Sequence, residues 1–378
     1  MRIAGFRIYS IEIPMRFGVS HSLADRKVTS NVIVCAIAGN EFVGFGECCP
    51  RPYVTGETVD TVIRELTENI LPRFLGKCFS GFEEVKEYLS SMLKDVKRDQ
   101  LAAFCSAELS MLDLAGKTFT KSSGQVIGPQ VAYKVRYSGV IATSDLVKAG
   151  KFATAMRLYG FRDVKVKVGQ SLEHNFRLLK NVRDRLPEKV SLRVDANCCW
   201  SADEAIRQLE MMKQFNVAGV EQPVKAYDLD GMAEVTAAKI ADVVADESLC
   251  SIDDACDLIE NKACDVFNIR VSKCGGLINS AAIYEKAAQA GLGCQLGAQV
   301  GETAILSAAG RHVATRCKHI RWCEGSYGYI LLKDDVNAAS MTIGPGGWAR
   351  RIDQPGIGVK PAEKKIIKYK TYMSEVWF

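Results

Sequence analysis

The sequence predicts an α/β protein, a modified (β/α)7β TIM-type barrel preceded by an N-terminal α+β capping domain. Charged residues follow short apolar, β-branched segments at intervals of 25 to 28 residues through the middle of the chain. A strand, a loop and a helix together take roughly 25 to 30 residues in such a barrel. The first 120 residues instead pass from strands to helices without alternating, which is typical of an α+β module.

Composition narrows the class of protein. Of the 378 residues, 48% are hydrophobic and 25% are charged, which is ordinary for a globular protein. The net charge of +5 is mild, and the chain has no Lys/Arg block typical of a nucleic-acid or membrane surface. No apolar run reaches the ~18 residues that suggest a membrane span. We therefore expect neither nucleic acid nor a membrane as a partner.

The fourteen cysteines are scattered along the chain. The adjacent pairs Cys48-Cys49 and Cys198-Cys199 are the only clusters, and no Cys-x-x-Cys occurs, so the spacing of a zinc site or redox motif is missing. The start of the chain also lacks the apolar core of a signal peptide. We expect buried free thiols in a cytoplasmic protein whose chemistry does not use cysteine.

Residues 1–125 are predicted to form the capping domain. The predicted elements are strands at Ile3–Ile13, Val32–Ala38 and 41–47, a turn at Gly39-Asn40, and helices from Val62 and from Leu101. Residues 117–129 are polar and contain glycine, as a linker would. The tail at about 350–378 is Gly/Pro-rich and then strand-like, and we expect it to return to the capping domain.

Residues 126–349 are predicted to form the barrel, with repeats beginning near Val135. Amphipathic helices separate the strands, and several begin at a good N-cap, namely Ser144, Ser201 and Ser251. The predicted strands end at or near Val140, Val168, Asp195, Glu221, Ala245, Lys273, Ala298 and Glu324. Active sites of such barrels lie at the C-terminal ends of the strands, so the charged residues at these ends should meet at one mouth.

Two lysines lie on the second of these strands. Lys165 and Lys167 alternate with valines, so both enter the barrel mouth if the valines pack under the helices. Mutual repulsion and burial should then lower the pKa of both lysines toward the range that a base requires. The same alternation, taken alone, also fits an edge strand protected by exposed lysines.

Asp195, Glu221 and Asp246 supply hard oxygen ligands from three neighbouring strands. Mg²⁺ prefers six oxygens, which three carboxylates, a substrate carboxylate and a water can provide. A single such acid would more often be a helix cap or a loop salt bridge, but three at matched strand ends favour a metal site. Asn197 and Glu247 lie beside these acids and are predicted to orient them.

Lys273 lies on the far side of the predicted metal strands from Lys167, before two glycines that permit a tight turn. Two bases across a metal-held carboxylate could serve opposite faces of one α-carbon. Removing a proton from that carbon builds negative charge on an already anionic carboxylate, and a divalent metal stabilises the product.

As a set, these motifs resemble the muconate-lactonizing-enzyme subgroup of the enolase superfamily. The segments that carry the resemblance are Lys165-Val166-Lys167, Asp195-Ala196-Asn197, Glu221-Gln222-Pro223, Asp246-Glu247-Ser248 and Lys273-Cys274-Gly275-Gly276. The resemblance extends over nearly the whole chain, because Gly44-Phe45-Gly46-Glu47 and 52–58 look like a strand end and a substrate-facing loop of the capping domain. Sites of this superfamily pair a Lys or His base with Mg²⁺.

The resemblance implies a role for each position. Lys167 would be the acid/base on one face, with Lys165 as its electrostatic neighbour, and Lys273 would be the acid/base or a stabilising cation on the other. Asp195, Glu221 and Asp246 would bind Mg²⁺, with Mn²⁺ as an alternative. Loops near 16–28 and 48–58 would set specificity, and the chain would form a homo-oligomer. The implied substrate-binding residues are Tyr53, Gly297, Glu302 and Glu324.

Where the sequence departs from the superfamily pattern, it disfavours some of the reactions that the superfamily catalyses. His312 and His319 are not at predicted strand ends, which disfavours acid-sugar dehydration of the mandelate-racemase type. Dipeptide epimerases usually carry an Asp-x-Asp pair after the eighth strand, where this chain has Glu324 alone. The favoured reaction on a small carboxylate-containing substrate is racemisation or epimerisation of an amino-acid derivative or dipeptide.

Other reactions start from the same enolate. Muconate-type cycloisomerisation and β-elimination of the o-succinylbenzoate synthase or dehydratase type are the alternatives within the superfamily. A Schiff-base aldolase needs one barrel lysine but neither three metal carboxylates nor a second lysine opposite. A non-catalytic barrel should have lost at least one member of the set, and none is missing.

Overall fold

The computed structural model describes residues 1–21, 24–39, 42–337 and 341–378. The strands are β1 Ile3–His21, β2 Ala24–Ala38, β3 Val43–Cys48, β4 Lys134–Arg136, β5 Gly139–Ile141, β6 Asp163–Lys167, β7 Ser191–Asp195, β8 Val217–Glu221, β9 Asp242–Ala245, β10 Val266–Ile269, β11 Gly293–Leu296, β12 Ile320–Cys323, β13 Trp348–Arg350 and β14 Lys370–Trp377. The α-helices are α1 Val59–Glu65, α2 Phe82–Leu93, α3 Leu101–Phe119, α4 Leu146–Tyr159, α5 Leu172–Arg183, α6 Ala202–Met212, α7 Leu229–Ala237, α8 Ile252–Glu260, α9 Leu277–Gln289, α10 Ala304–Arg316, α11 Gly328–Leu331 and α12 Glu363–Tyr369.

The N-terminal module is an antiparallel sheet covered by helices. Its strand order is β14-β1-β2-β3, so the C-terminal strand pairs with the first strand of the chain, as the sequence predicts. Helix α3 is buried along most of its length and packs on β3. A Cβ added to Gly44 or Gly46 would overlap a carbonyl oxygen of α3, so both glycines are required by this close approach.

Strands β1 and β2 are longer than predicted. Alternation ends near Pro14, but the two strands pair beyond it, from Pro14 opposite Val28 and again from Val19 opposite Arg26 after a register shift. Backbone pairing across the two strands therefore extends them through segments that lack an apolar pattern. The predicted turn at Asn40, the predicted strand start at Glu41, and residues 22 and 23 of the predicted specificity loop lie outside the described residues.

The barrel is an eight-stranded parallel sheet in the order β5 to β12, with helices α4 to α10 in its connections. This is the predicted (β/α)7β arrangement. The Ser138 amide, just before β5, donates to the Cys323 carbonyl at the end of β12 (2.7 Å), which brings the last strand to the first. Val164, Val166, Val194 and Val220 are fully buried in the apolar layer between strands and helices.

Three boundaries differ from the sequence prediction. β4, where barrel repeats were expected to begin, pairs with β13, and the first barrel strand is β5. Helix α4 begins after Asp145, whose side chain accepts from the Lys148 amide (2.9 Å), so Asp145 rather than Ser144 is its N-cap. The expected linker at 117–129 is partly helical, because α3 runs to Phe119, and residues 123–124 are buried. Ser201 and Ser251 are N-caps as predicted.

All fourteen cysteines are free, and most are buried, in agreement with the prediction. No helix in the described part of the chain is long and apolar enough to cross a membrane.

Candidate active site

The charged residues singled out in the sequence come together at the C-terminal ends of consecutive barrel strands. Lys167, Asp195 and Glu221 are the last residues of β6, β7 and β8, and they are neighbours in the parallel register. Asp246 directly follows β9. All three carboxylate side chains are at most 1% exposed. Such a concentration of buried acids is stable only if cations or strong hydrogen-bond donors lie beside them.

Lys165 supplies much of that compensation. Its ammonium lies 3.0 Å from both carboxylate oxygens of Glu221, 2.7 Å from Glu324 Oε2 and 3.5 Å from Asp195 Oδ2. Burial lowers the pKa of Lys165, but the three carboxylates outweigh burial and raise it well above its usual range. Lys165 therefore holds its proton in this structure.

Lys167 is the more accessible of the two lysines. Its ammonium lies 3.3 Å from Asp195 Oδ2 and donates to Asn197 Oδ1 (2.5 Å). The Asn197 amide N–H in turn donates to Asp195 Oδ1 (3.1 Å), and the Asn197 side chain donates to Glu247 Oε1 (3.3 Å). Asn197 thus links a lysine and two acids, and the orienting role of Asn197 and Glu247 stays a prediction.

Lys273 is not at a strand end, contrary to the sequence interpretation. β10 ends at Ile269, and Lys273 lies in the turn that leads to α9. Its buried ammonium contacts Asp246 Oδ1 (2.8 Å) and the Asp246 carbonyl. Burial lowers the pKa of Lys273, but Asp246 outweighs burial and raises it. Gly276 closes the turn with φ +109°, against the side chain of Glu108, which accepts from the first amides of α9.

Repulsion between Lys165 and Lys167 was expected to lower the pKa of both lysines, and for Lys165 this expectation is wrong. The charged groups nearest to the Lys165 ammonium are the carboxylates of Glu324, Glu221 and Asp195, so attraction to them outweighs the expected repulsion from Lys167.

Several buried polar residues of the site were missed in the sequence. Arg270 contacts both Asp246 and Glu221, while Asn268 and Gln295 donate to the two oxygens of Glu221 (3.1 and 2.8 Å). Arg193 donates to Glu324 (3.0 Å). Strand alternation could have found them, because Asn268 and Arg270 flank Ile269, and Arg193 lies between Leu192 and Val194.

The donor chemistry of the three acids fits a hard divalent cation. Every candidate metal ligand is a carboxylate oxygen. Among the described residues Glu247 Oε2 is buried and accepts no hydrogen bond, whereas the buried Asp195 Oδ2 faces the ammonium groups of Lys167 (3.3 Å) and Lys165 (3.5 Å). Within the described ranges, however, no group of three His, Cys, Asp or Glu side chains is already arranged to hold a metal ion. The ammonium of Lys165 and the guanidinium of Arg270 instead lie between the three carboxylates.

The loops after β7 and β8 each contain a non-glycine residue with a left-handed backbone conformation. Asn197 and Gln222 follow the acids of β7 and β8, and both adopt the left-handed region, with φ +44° and +40°. Gln222 accepts from the Asp246 amide (2.9 Å) and donates to Ser248 (2.7 Å), which fixes the loop that carries Asp246. Non-glycine residues in this region cost of order 1 kcal/mol and concentrate at functional sites.

The predicted substrate-binding residues take different positions. Glu324 is already ion-paired with Lys165 and Arg193. Glu302 is buried, which raises its pKa to about 8, and it accepts from the Gln299 amide (2.6 Å). At Gly297, a Cβ would overlap the side chain of Asn268, so glycine is required there by packing. The guanidinium carbon of Arg26 lies over the ring of Tyr53, 5.9 Å from the ring centre.

The chain is similar to several known proteins. Residues 148–365 match the family model described as enolase C-terminal domain-like. The N-succinyl-L-Arg/Lys racemase of Bacillus cereus is 26% identical to this chain over 97% of both proteins. Its crystal structure superposes with a TM-score of 0.92 at 25% identity and covers all of both chains.

Two further similarities support the architecture. The hydrophobic dipeptide epimerase of Enterococcus faecalis is 26% identical over 85% of this chain and 89% of its own. Its crystal structure with Mg and the dipeptide L-Leu-L-Tyr has a TM-score of 0.87 at 24% identity and covers 95% of this chain and all of its own. The muconate lactonizing enzyme of Pseudomonas fluorescens, at 21% identity, shares the fold with a TM-score of 0.88, covering 97% of this chain and 99% of its own.

Proposed function

Since the chain belongs to the enolase C-terminal domain-like family and is an isomerase of the enolase superfamily, we propose that it racemises or epimerises the α-carbon of an N-acylated amino acid or dipeptide. The observation that carries the proposal is the row of carboxylates with a lysine pair on one flank and a single lysine on the other. Lys165 and Lys167 contact Asp195 at one end of the row, and Lys273 contacts Asp246 at the other.

Each lysine has a distinct task in this reaction. Lys167 removes the α-proton from one face of the substrate through its Nζ atom, and Lys273 delivers a proton from the other face. Lys273 would carry that proton on its Nζ atom, which lies beside Asp246 at 2.8 Å. Lys165, bound to Glu221 and Glu324, keeps a fixed positive charge beside Lys167. In the reverse direction the two outer lysines exchange tasks.

Asp195, Glu221 and Asp246 are the residues that would hold Mg²⁺ in this proposal. The metal would act as a Lewis acid that stabilises the additional negative charge on the substrate carboxylate when the α-carbon loses its proton. The all-oxygen set of candidate ligands and the burial of all three carboxylates support this assignment. Mn²⁺, which accepts similar ligands, is an alternative to be compared in the same assay.

The substrate class is proposed from the similar proteins. The Bacillus cereus protein racemises N-succinyl-Arg/Lys and the Enterococcus faecalis protein epimerises hydrophobic dipeptides, so both kinds of compound belong in the first panel. Glu302, buried near Arg51 and Arg270, and Tyr53, beneath Arg26, remain candidates for contact with the N-acyl group or side chain. A homo-oligomer and a cytoplasmic location are parts of the proposal that need their own measurements.

The test is proton NMR in D₂O with Mg²⁺, using N-succinyl amino acids, dipeptides and muconate-like acids as separate pools. Loss of an α-proton signal together with formation of the opposite stereoisomer is the expected result, the latter followed by NMR for the diastereomeric dipeptides and by polarimetry for the N-succinyl amino acids. A new product without a stereoisomer would replace the proposal with cycloisomerisation or β-elimination. No α-proton exchange in any pool, with Mg²⁺ bound, would contradict the proposed substrate class.

A further inference from the structure

We infer that Glu47 of the capping sheet is a positioning residue. It fixes the barrel loop 297–303 and, through this loop, the acidic row formed by Asp195, Glu221 and Asp246. This inference rests on the proposed function. Glu47 is completely buried and is the penultimate residue of the strand β3, far in sequence from the loop it binds. It touches none of the acids of the row among the contacts of the described residues. Any effect on the reaction must therefore pass through its neighbours.

The carboxylate of Glu47 accepts hydrogen bonds from the barrel and from the neighbouring strand β2. Thr303 donates to it through its amide (3.0 Å) and its hydroxyl (2.7 Å), and Leu306 donates through its amide (3.0 Å). The Asn31 side chain of β2 donates a fourth bond (2.7 Å). Thr303 is the N-cap of α10 and Leu306 lies in its first turn, where backbone N–H groups have no partner within the helix.

The capping domain also holds the residue before Glu302. Thr29 and Asn31 both donate to the Gly301 carbonyl, each at 2.9 Å. Gly301 adopts φ +92°, and a Cβ there would overlap Thr29, so only glycine fits this approach. The residues on both sides of Glu302 are thus bound by β2 and β3, and the barrel loop cannot move independently of the capping sheet.

From this loop, contacts continue into the acidic row. Glu302 accepts from the Gln299 amide (2.6 Å), and the Gln299 side chain accepts from Arg270 (3.4 Å). Arg270 contacts Asp246 and Glu221. A continuous set of contacts therefore joins Glu47 to two of the proposed metal ligands. Displacement of the loop should weaken substrate and metal binding more than it changes the positions of the lysines.

Glu57 provides a matched control. It is also a buried carboxylate of the capping domain, and it accepts from two amides at the start of a helix, those of Ala102 (2.8 Å) and Ala103 (2.9 Å) of α3. Its helix belongs to the capping domain rather than to the barrel. Burial raises the pKa of Glu47 and of Glu57 alike to about 7, so the two residues differ chiefly in which helix they bind.

The experiment compares Glu47→Gln with Glu57→Gln in the full-length protein. Hydrogen–deuterium exchange of the segment 297–306 is measured first, since it needs neither substrate nor metal. We expect exchange in this segment to rise at least tenfold in Glu47→Gln and to stay within twofold of wild type in Glu57→Gln. For a substrate that the wild type turns over, KM should rise at least fivefold in Glu47→Gln with kcat changed less than KM.

The outcomes separate this inference from the proposed function. If the wild type turns over nothing in the panel, the proposed function fails while the exchange measurement still decides the role of Glu47. Equal exchange of 297–306 in both variants, or a Glu47→Gln effect confined to kcat, would overturn the inference. If Glu47→Gln does not fold, Thr303→Val removes one of the same hydrogen bonds from the barrel side and is held to the same criteria.

Discussion

At the scale of single residues, the site is a balance between buried carboxylates and the cations that lie among them. Glu221 shows this most clearly, because Lys165, Arg270, Asn268 and Gln295 all bind its two oxygens. Burial alone would raise the pKa of Glu221, but Lys165, Arg270 and Arg193 hold it far below its usual range. Glu221 is therefore an ionised oxygen donor at the centre of the row.

The first prediction concerns this residue. Glu221→Gln removes the negative charge while keeping the shape, so Mg²⁺ affinity should fall at least about tenfold in isothermal titration calorimetry. Asp253→Asn, an exposed acid in the first turn of α8, is the control and should leave the affinity unchanged. Undiminished Mg²⁺ binding by Glu221→Gln would remove Glu221 from the metal site.

The positions of site residues could be predicted where they alternate with apolar residues along a strand. Contacts between residues far apart in the sequence could not be predicted. Lys165 and Lys167 could be assigned to the barrel mouth because valines alternate with them. The position of Lys273 was misassigned, since the turn after β10 carries no distinctive pattern until the two glycines. The sign of the lysine pKa shifts depended on which charges lie nearest, and that information exists only in three dimensions.

At the scale of elements, short turns place the catalytic candidates. The turn between β10 and α9 holds Lys273, and its glycine Gly276 lies against the carboxylate of Glu108 from α3. The capping domain therefore contacts the barrel at the lysine of one flank as well as through Glu47. Helix and strand types were predictable from periodicity, but these inter-domain contacts were not, because their partners are more than 100 residues apart.

Gly276→Ala tests the importance of that contact. The added Cβ would overlap Glu108, and the backbone is at φ +109°, so we expect a loss of about 2–4 kcal/mol in the free energy of unfolding. Gly291→Ala is the matched control, with φ +74° but no atom within 4 Å of the new Cβ, and should cost only about 1 kcal/mol. If urea unfolding gave the same loss of unfolding free energy for Gly276→Ala and Gly291→Ala, the turn would tolerate the overlap with Glu108.

A pH dependence follows from the buried carboxylate of Glu57. Burial raises its pKa to about 7, against hydrogen bonds from Ala103 and Ala102 that lower it. Between pH ~4.5 and ~7 the folded state then binds more protons than the unfolded state, so this group's contribution to stability is lost as the pH rises. The stability of wild type relative to Glu57→Gln should fall by up to about 1.4 kcal/mol per pH unit in that window.

Urea unfolding of both proteins at pH 5 and pH 7 measures this difference. A difference that stays constant, or that grows in favour of the wild type as the pH rises, would contradict a raised pKa of Glu57 in the folded protein. The comparison is made between two proteins at each pH, so the titration of all other groups cancels to first order.

At the scale of the whole molecule, the chain returns to its beginning. β14 pairs with β1 from Lys370 to Trp377, and the ring of Trp377 fills the space that a Cβ at Gly5 would occupy. The sequence indicated this return through the strand-like tail, whereas its register could not be read because tail residues alternate only weakly between buried and exposed.

Deleting residues 370–378 should therefore expose the edge of β1. An unpaired edge strand is prone to pair with another molecule, so the truncated protein should unfold at a lower temperature and aggregate at concentrations that leave the full chain dispersed. Thermal unfolding and size-exclusion chromatography check this, with Trp377→Ala as an intermediate that keeps the backbone pairing. A truncated protein with unchanged Tm and elution would contradict the structural role of β14.

The central claim is that two lysines serve opposite faces of one α-carbon, and single-lysine variants test it most directly. With an identified substrate, each enantiomer is incubated separately in D₂O with wild type, Lys167→Ala and Lys273→Ala, and α-proton exchange is followed by NMR. We predict that neither variant interconverts the stereoisomers and that each retains exchange with one enantiomer only, the opposite one in the two variants. Interconversion at the wild-type rate by either variant, or loss of exchange with the same enantiomer in both, would contradict the claim.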